Sequence, residues 1–129
     1  PKYLEKYGYP KTVNDLNKHK FISFGRGAPS PVYDPDWVLK LGMKDNKKRK
    51  PVMKVNSVYG LLLAVQSGVG LAAIPDYLTV KQPNIVKLLP NIEGPITQAH
   101  FVYPQSLKNV ARVQAFRNFL YSKISEWEF

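Results

Sequence analysis

The stretch that decides the fold is residues 55–78, VNSVYGLLLAVQSGVGLAAIPDYL. Asn56 and Ser57 follow the end of a strand, and both can accept hydrogen bonds from the free N–H groups that open a helix. Gly68 can take the left-handed conformation that ends a helix. Between them, apolar residues recur at helical spacing, namely Val58, Leu61, Leu62 and Val65. The sequence therefore predicts a capped helix directly after a strand.

A second strand follows the helix. Residues 69–74 form a short apolar run, which suits a strand buried on both faces of a parallel sheet. Pro75 cannot donate to a ladder, so the strand should stop there. The whole stretch reads as a βαβ unit, with Asn56 and Ser57 at the carboxyl end of its first strand. Ligands of open α/β sheets collect at that edge, and a helix start there favours anions.

The rest of the chain predicts further elements of an α/β fold. Thr12 and Asp15 have the spacing of a capping box, which should open a short helix through Lys18. The other expected elements are helices at residues 2–7, 76–80 and 108–127, strands at 21–24, 85–89 and 96–103, and a hairpin pairing 37–41 with 52–55.

Charge is the unusual global property of this chain. The formal net charge is +10, and residues 44–50, KDNKKRK, concentrate much of it. One interpretation is a surface for nucleic acid or another acidic partner. The other is the solvated tip of the predicted hairpin, because Asp45 and Asn46 are typical turn residues. The second interpretation needs no partner and is the one we favour.

Composition and motifs argue against several functions. The chain has no cysteine, so disulfides and thiolate metal sites are ruled out, and this fits a cytoplasmic protein. No apolar run is long enough to span a membrane. Ser57, Asp76 and His100 could in principle be combined into a catalytic triad, but no serine has a nucleophile-elbow motif around it. No metal-ligand spacing or cofactor fingerprint is present. We therefore expect no enzyme activity, no cofactor and no metal.

Three segments together resemble LysR-type transcriptional regulators. The central one joins the strand end at Val55-Asn56-Ser57 to the Gly68-Val69-Gly70 step and Ile74-Pro75-Asp76. The first segment runs from Tyr3-Leu4 to His19 and includes Gly8, Pro10, Thr12 and Asp15-Leu16. The last is Phe101-Val102-Tyr103-Pro104, with Val113, Phe116 and Leu120 after it. The three lie in the family's order over nearly the whole chain.

The resemblance implies a periplasmic-binding-protein-like (type 2) α/β fold, here a truncated lobe with a mixed sheet flanked by helices. Residues 1–95 would form the second lobe of the effector-binding domain. Residues 96–129 would supply a strand and a helix that return to the first lobe. The rest of that lobe and the DNA-binding domain would be absent, so DNA would be contacted only through the missing N-terminal domain. The implied function is that of a cytoplasmic, bacterial, homo-oligomeric sensor that binds a small anionic effector of the carboxylate class.

The resemblance also implies where the effector binds. The inter-lobe cleft would be lined by residues at two strand ends, namely Ser23, Phe24, Gly25, Asn56, Ser57 and Val58. Phe24 would form an apolar wall, and the other five would supply polar or backbone contacts. A purely capping role for Asn56 or Ser57 stays open. So do two other functions: a solute-binding protein of a transport system and a nucleic-acid-binding module.

The last predicted helix raises a separate expectation. Its apolar stripe is Val110, Val113, Phe116, Leu120, Ile124 and Trp127. By the resemblance, this stripe would bury against the first lobe. Without that lobe, we expect it to pack on another copy, on the missing lobe as a separate piece, or on the chain's own sheet.

Overall fold

The computed structural model describes residues 2–25, 34, 36–45, 47–80 and 82–127. The chain divides into two compact units, Pro1–Ile96 and Thr97–Phe129. The helices are α1 (Lys2–Tyr7), α2 (Trp37–Lys40), α3 (Val58–Gln66), α4 (Asp76–Thr79) and α5 (Ala111–Ser125), the strands are β1 (Ile22–Phe24) and β2 (Met53–Val55), and 3₁₀ helices span Asn14–Lys18 and Gln105–Leu107.

A small parallel sheet organises the first unit. β1 pairs with β2 in parallel, with Phe24 opposite Val55 at their carboxyl ends. Phe21, the residue before β1, forms an isolated parallel bridge with Leu71 on the edge opposite β2. The chain therefore leaves β2, passes through α3 and returns parallel to β1, as the βαβ pattern predicts. Of the strand expected at residues 69–74, however, only Leu71 forms a bridge, and the described residues around it are mostly half-buried.

Gly70 explains how the returning chain comes so close to β1. A Cβ atom at this position would lie 2.6 Å from the carbonyl oxygen of Lys20. The amide of Leu71 donates to that same oxygen at 2.8 Å, and the amide of Ile22 donates to Leu71 O at 2.8 Å. Glycine is therefore required by the close approach of two backbones.

Both ends of α3 follow the sequence-based prediction. The Oγ of Ser57 accepts a hydrogen bond from the amide of Gly60, so Ser57 is the N-cap. At the other end, Gly68 has φ +76° and its amide donates to Val65 O. The amide of Val69 donates to Ala64 O, which completes a Schellman motif. The Thr12–Asp15 capping box is also confirmed, because each side chain accepts from the other residue's amide.

The core of the first unit lies on both faces of β1. Ile22 and Phe24 point to one face and pack against Leu61 and Ala64 of α3. Phe21 points to the opposite face, where it packs with Leu16 and Leu39. Alternation along a strand produces this division, and it leaves no face of β1 exposed to solvent.

The predicted hairpin is wrong. Residues 37–40 form helix α2, and β2 pairs in parallel with β1. Four residues of alternating sequence are too few to separate a strand from one helical turn. The helix is favoured by burial, because Leu39 is only 1% exposed and packs beside Phe21. β2, meanwhile, finds its partner in a segment about thirty residues earlier, which local patterning does not reveal.

Two further strand predictions are wrong as well. Residues 85–89 and 96–103 are described throughout, and neither range is a strand. A strand needs a neighbour for its backbone donors and acceptors, and no described segment runs alongside either range in a ladder. The helical turn expected at residues 76–80 is confirmed as α4.

The second unit is built around α5, and none of its described residues is buried. The predicted helix is confirmed, although it starts at Ala111 rather than Lys108. Phe101 packs edge-on against Phe116, with 5.6 Å between the ring centroids. Even so, Phe116, Ile124 and Trp127 of the apolar stripe remain about half exposed.

Candidate ligand-binding site

The carboxyl ends of β1 and β2 lie side by side, which brings two groups of predicted residues together. The amide of Gly25 donates to Val55 O directly after the last ladder pair. A Cβ atom on Gly25 would lie 3.4 Å from Val55 O and 3.8 Å from the Cβ of Asn56. Gly25 and Asn56 are therefore neighbours across this edge, and α3 begins two residues beyond Asn56.

Helix α3 presents free donors at this edge. Ser57 has extended backbone angles, and its Oγ accepts from the amide of Gly60 at 3.4 Å, a long hydrogen bond. Within the described ranges, no group accepts from the amides of Val58 or Tyr59. These amides add to the positive end of the helix dipole, so the site offers hydrogen-bond donors and positive potential.

The predicted residues differ in accessibility. Asn56 and Ser57 are exposed, Gly25 and Val58 are half-buried, and Ser23 and Phe24 are buried. Phe24 packs in the core beneath α3. The side chain of Ser23 is only 3% exposed, and its Oγ has no hydrogen-bond partner in the part of the chain that the structure describes. The atoms within reach of a ligand are therefore those of Gly25, Asn56 and Ser57 and the first amides of α3.

None of the six predicted residues has an ionisable side chain. An anion at this edge would be held by neutral donors and by the helix dipole. The pH dependence of its binding would then follow the ionisation of the ligand itself. Arg26 follows Gly25, and its guanidinium could pair with a carboxylate, but it lies outside the described residues.

An open groove of about 510 Å³ lies elsewhere, in the second unit, and none of the six predicted residues lines it. Its walls include His100, Phe101, Tyr103, Arg117 and Tyr121. None of the described residues of the unit that carries the groove is buried, whereas the strand edge at Asn56 rests on a packed core. The strand edge is therefore the better defined candidate.

Arg49 has a role that the sequence-based prediction missed. It lies in the lysine-rich run, yet it is 9% exposed. Its Nε donates to Asn17 Oδ1 at 2.9 Å, and its Nη1 donates to Leu41 O at 2.7 Å, just after the end of α2. Burial lowers the pKa of the guanidinium from its usual value. The one arginine in a run of lysines was the available signal, since only a guanidinium can bridge several carbonyls in one plane.

Tyr3 and His19 fix α1 against the start of β1. The hydroxyl of Tyr3 accepts from the amide of Lys20 at 2.8 Å and lies 3.3 Å from His19 Nδ1. Burial lowers the pKa of His19, while the nearby Asp15 carboxylate partly opposes this effect. These contacts are structural and lie away from the strand edge at Asn56 in the sequence and in the sheet.

In the described ranges, no group of three or more acidic, histidine or cysteine side chains is placed to hold a metal ion. A search of the same residues finds no helix that is both long and apolar enough to cross a bilayer.

Comparison with known proteins defines the class. In open α/β sheets, ligands bind at the carboxyl ends of the strands, and a capped helix begins at that edge in this chain. The model of the family "LysR substrate binding domain" matches residues 1–124. The chain therefore belongs to the LysR substrate-binding domain family, which implies a periplasmic-binding-protein-like fold.

Two curated relatives are similar to this chain at low identity. An "Uncharacterized HTH-type transcriptional regulator" of Haemophilus influenzae is 27% identical over 108 residues, which cover 81% of this chain and 36% of the relative. The "Uncharacterized HTH-type transcriptional regulator YhjC" of Escherichia coli K12 is 25% identical over 139 aligned positions, which cover 98% of this chain and 43% of the relative. The chain thus spans less than half the length of these relatives. No solved structure matches it significantly.

Proposed function

We propose that this chain is the effector-sensing part of a LysR-type transcriptional regulator. The family match over residues 1–124 carries this proposal. In it, residues 1–95 are the second lobe of a type 2 periplasmic-binding-protein-like domain, and residues 96–129 are a strand and helix that belong to the first lobe. A transport solute-binding protein is not favoured, because both relatives are titled transcriptional regulators.

The proposed ligand is a small carboxylate that binds where α3 begins. This location is supported by the amides of Val58 and Tyr59, which have no acceptor among the described residues, by the N-cap at Ser57 and by the adjacent Gly25. The proposed site comprises Ser23, Phe24, Gly25, Asn56, Ser57 and Val58, with the buried Ser23 and Phe24 acting by supporting the strand end. Carboxylates suit this edge because helix N-termini stabilise negative charge.

The proposed mechanism is a shift between two arrangements of the lobes. An effector that contacts both lobes binds the closed arrangement more tightly than the open one. It can shift the equilibrium only by the difference between its affinities for these two arrangements. That difference would be transmitted to the DNA-binding part of the regulator through protomer packing. Homo-oligomerisation, DNA contact through the relatives' helix-turn-helix part, and a cytoplasmic location belong to this proposal for the whole regulator.

We further propose that the chain has no enzyme activity. A generic esterase or phosphatase screen with turnover that Ser57→Ala abolishes would contradict that.

NMR titration of the chain with aromatic and aliphatic carboxylates tests the site. We expect amide shifts at residues 56–59 and at Ser23–Gly25. Ser57→Ala removes the N-cap and should weaken binding, whereas Ser67→Ala removes a hydroxyl at the opposite end of α3 and should not. Ser67 is a matched control because it is exposed and its Oγ bonds only within its own turn.

Shifts confined to residues 44–50, or equal loss of binding in the two serine variants, would overturn the proposed site. Binding to this chain should be weak, because an inter-lobe cleft has a second wall that these residues supply only in part.

A further inference from the structure

The strongest charge on the first unit lies in one loop. The lysine loop, residues 44–50, contains five basic residues and one acidic residue, Asp45. Its four lysines are all exposed, whereas its arginine is buried. Because ammonium groups on one short loop repel each other, such a loop is a favourable place for a polyanion.

The loop is held in place at both ends. The amide of Met43 donates to Lys40 O at 2.8 Å before the loop, and the amide of Arg49 donates to Leu39 O at 2.9 Å near its end. The buried Arg49 side chain adds its bonds to Asn17 and to Leu41 O. A polyanion that binds the lysines would therefore pay little ordering entropy in the backbone around them.

Nearby carboxylates leave most of these lysines unpaired. Lys48 forms an ion pair with Asp36 at 3.1 Å, and Asp34 is occupied by Lys40 at 2.7 Å. Lys44, Lys47 and Lys50 form no ion pair with any residue that the structure describes. Three unpaired ammonium groups thus remain on the loop.

We propose that the lysine loop binds the phosphate backbone of duplex DNA without reading its sequence. The inference rests on the proposed function, because a regulator brings duplex DNA to this chain. The loop contains no aromatic residue on which single-stranded bases could stack. Its one guanidinium, the group suited to reading guanine, is buried in the fold. The groups of the loop that are left to contact DNA are its exposed lysines, which bind phosphates as point charges.

The test measures binding of this chain to a fluorescent random-sequence duplex as a function of salt. The loop variant is Lys44→Glu/Lys47→Glu/Lys50→Glu. The control variant, Lys2→Glu/Lys11→Glu/Lys87→Glu, makes the same change in net charge at three exposed lysines outside the loop. Three phosphate contacts predict a slope of log K against log salt of about −2.7, or about a 40-fold weakening from ~50 to ~200 mM salt.

We expect the loop variant to lose this binding and its salt dependence, and the control variant to retain most of both. Equal losses in the two variants would attribute binding to net charge alone and overturn the proposal, as would a chain that binds no duplex at low salt. Polyglutamate that binds the loop as tightly as the duplex would identify an acidic protein surface as the partner instead.

The carboxylate titration at residues 56–59 is the second readout for both variants. In the unsubstituted chain, ligand shifts at these residues without any duplex binding at low salt would refute the lysine-loop proposal alone. Duplex binding through the loop without ligand shifts would refute the proposed effector site alone.

Discussion

The two units contain similar proportions of apolar residues but differ in how many of them they bury. Pro1–Ile96 buries Phe21, Ile22, Phe24 and Leu39 around one short strand. In Thr97–Phe129, by contrast, no described residue is buried, although α5 carries Phe116, Phe119 and Ile124. An amphipathic pattern therefore predicts a helix in both units, but it does not say whether the chain itself supplies the surface that covers it.

The same contrast separates the two surfaces proposed to bind a ligand or DNA from the apolar stripe of α5. The strand edge at Asn56 and the lysine loop both rest on the packed core of the first unit, so their geometry is fixed by buried contacts. The apolar stripe of α5 is itself the exposed feature. Substitutions should consequently change stability in the first unit and association in the second.

The largest expected effect is the loss of a core aromatic ring. Phe21 is 1% exposed, so Phe21→Ala should lower the free energy of unfolding by about 3–5 kcal/mol. Phe119→Ala is the matched control, because Phe119 is 55% exposed and its truncation should change stability by less than about 0.5 kcal/mol. Urea unfolding followed by circular dichroism measures both. Comparable losses would mean that α5 is covered in solution and that the contrast between the units is false.

Two glycines of the first unit should respond in opposite directions to the same substitution. Gly70→Ala places a Cβ 2.6 Å from Lys20 O, a backbone atom held in the Leu71 bridge, and should cost about 1–3 kcal/mol. Gly60→Ala places a Cβ 3.6 Å from Val55 Cβ, its nearest neighbour beyond the adjoining residues and the helix's own backbone, and should stabilise α3 by about 0.5 kcal/mol. The same unfolding experiment compares them. A Gly70→Ala chain as stable as the unsubstituted one would show that the returning segment does not approach β1 this closely.

The exposed stripe of α5 should drive association between copies of the chain. Burying one such aromatic side chain is worth roughly 1.5–3 kcal/mol, so Phe116→Asp should weaken self-association at least about 10-fold. Ser122→Asp adds the same charge to an exposed position of the helix and should have little effect. Sedimentation equilibrium measures the difference. A chain that stays monomeric at high concentration, with rapidly exchanging α5 amides, would rule this association out.

Features defined by neighbouring residues could be predicted from the sequence. The Ser57 cap, the Gly68 stop and the Thr12–Asp15 capping box were all confirmed, because each depends on side chains and amides within a few residues. The pairing of β2 could not be predicted in this way, since its partner β1 lies about thirty residues earlier. The strands expected at 85–89 and 96–103 failed for a related reason: apolar composition indicates a strand, but only a hydrogen-bonded neighbour makes one.

The candidate site was predictable in position but not in accessibility. The family resemblance, rather than strand patterning, implied that Gly25 and Asn56 face the same cleft, and the structure places them side by side. It could not show that Phe24 turns into the core under α3, since a three-residue strand gives no reliable choice of face. Charge alone does not reveal that Arg49 is buried while the lysines around it are exposed, and the one available signal is that Arg49 is the single arginine in the run. The role of the six residues in binding an effector remains a prediction.

The smallest expected effect is a pH dependence of the first unit's stability. Burial lowers the pKa of His19 below its ordinary value of 6.5, so the unfolded chain binds the proton more readily than the folded chain. Stability should therefore fall as the pH drops through 6.5, and the loss should level off below the lowered pKa of the folded state. His19→Gln should flatten the curve between about pH 7.5 and pH 5, whereas His100→Gln, at an exposed position of the second unit, should leave it unchanged. The lowered pKa values of Asp15 and Asp34 act at more acidic pH, outside this window. If urea midpoints show the same slope in all three chains, His19 is not buried against Tyr3 in solution, and α1 is attached to the core more loosely than the rest of the unit.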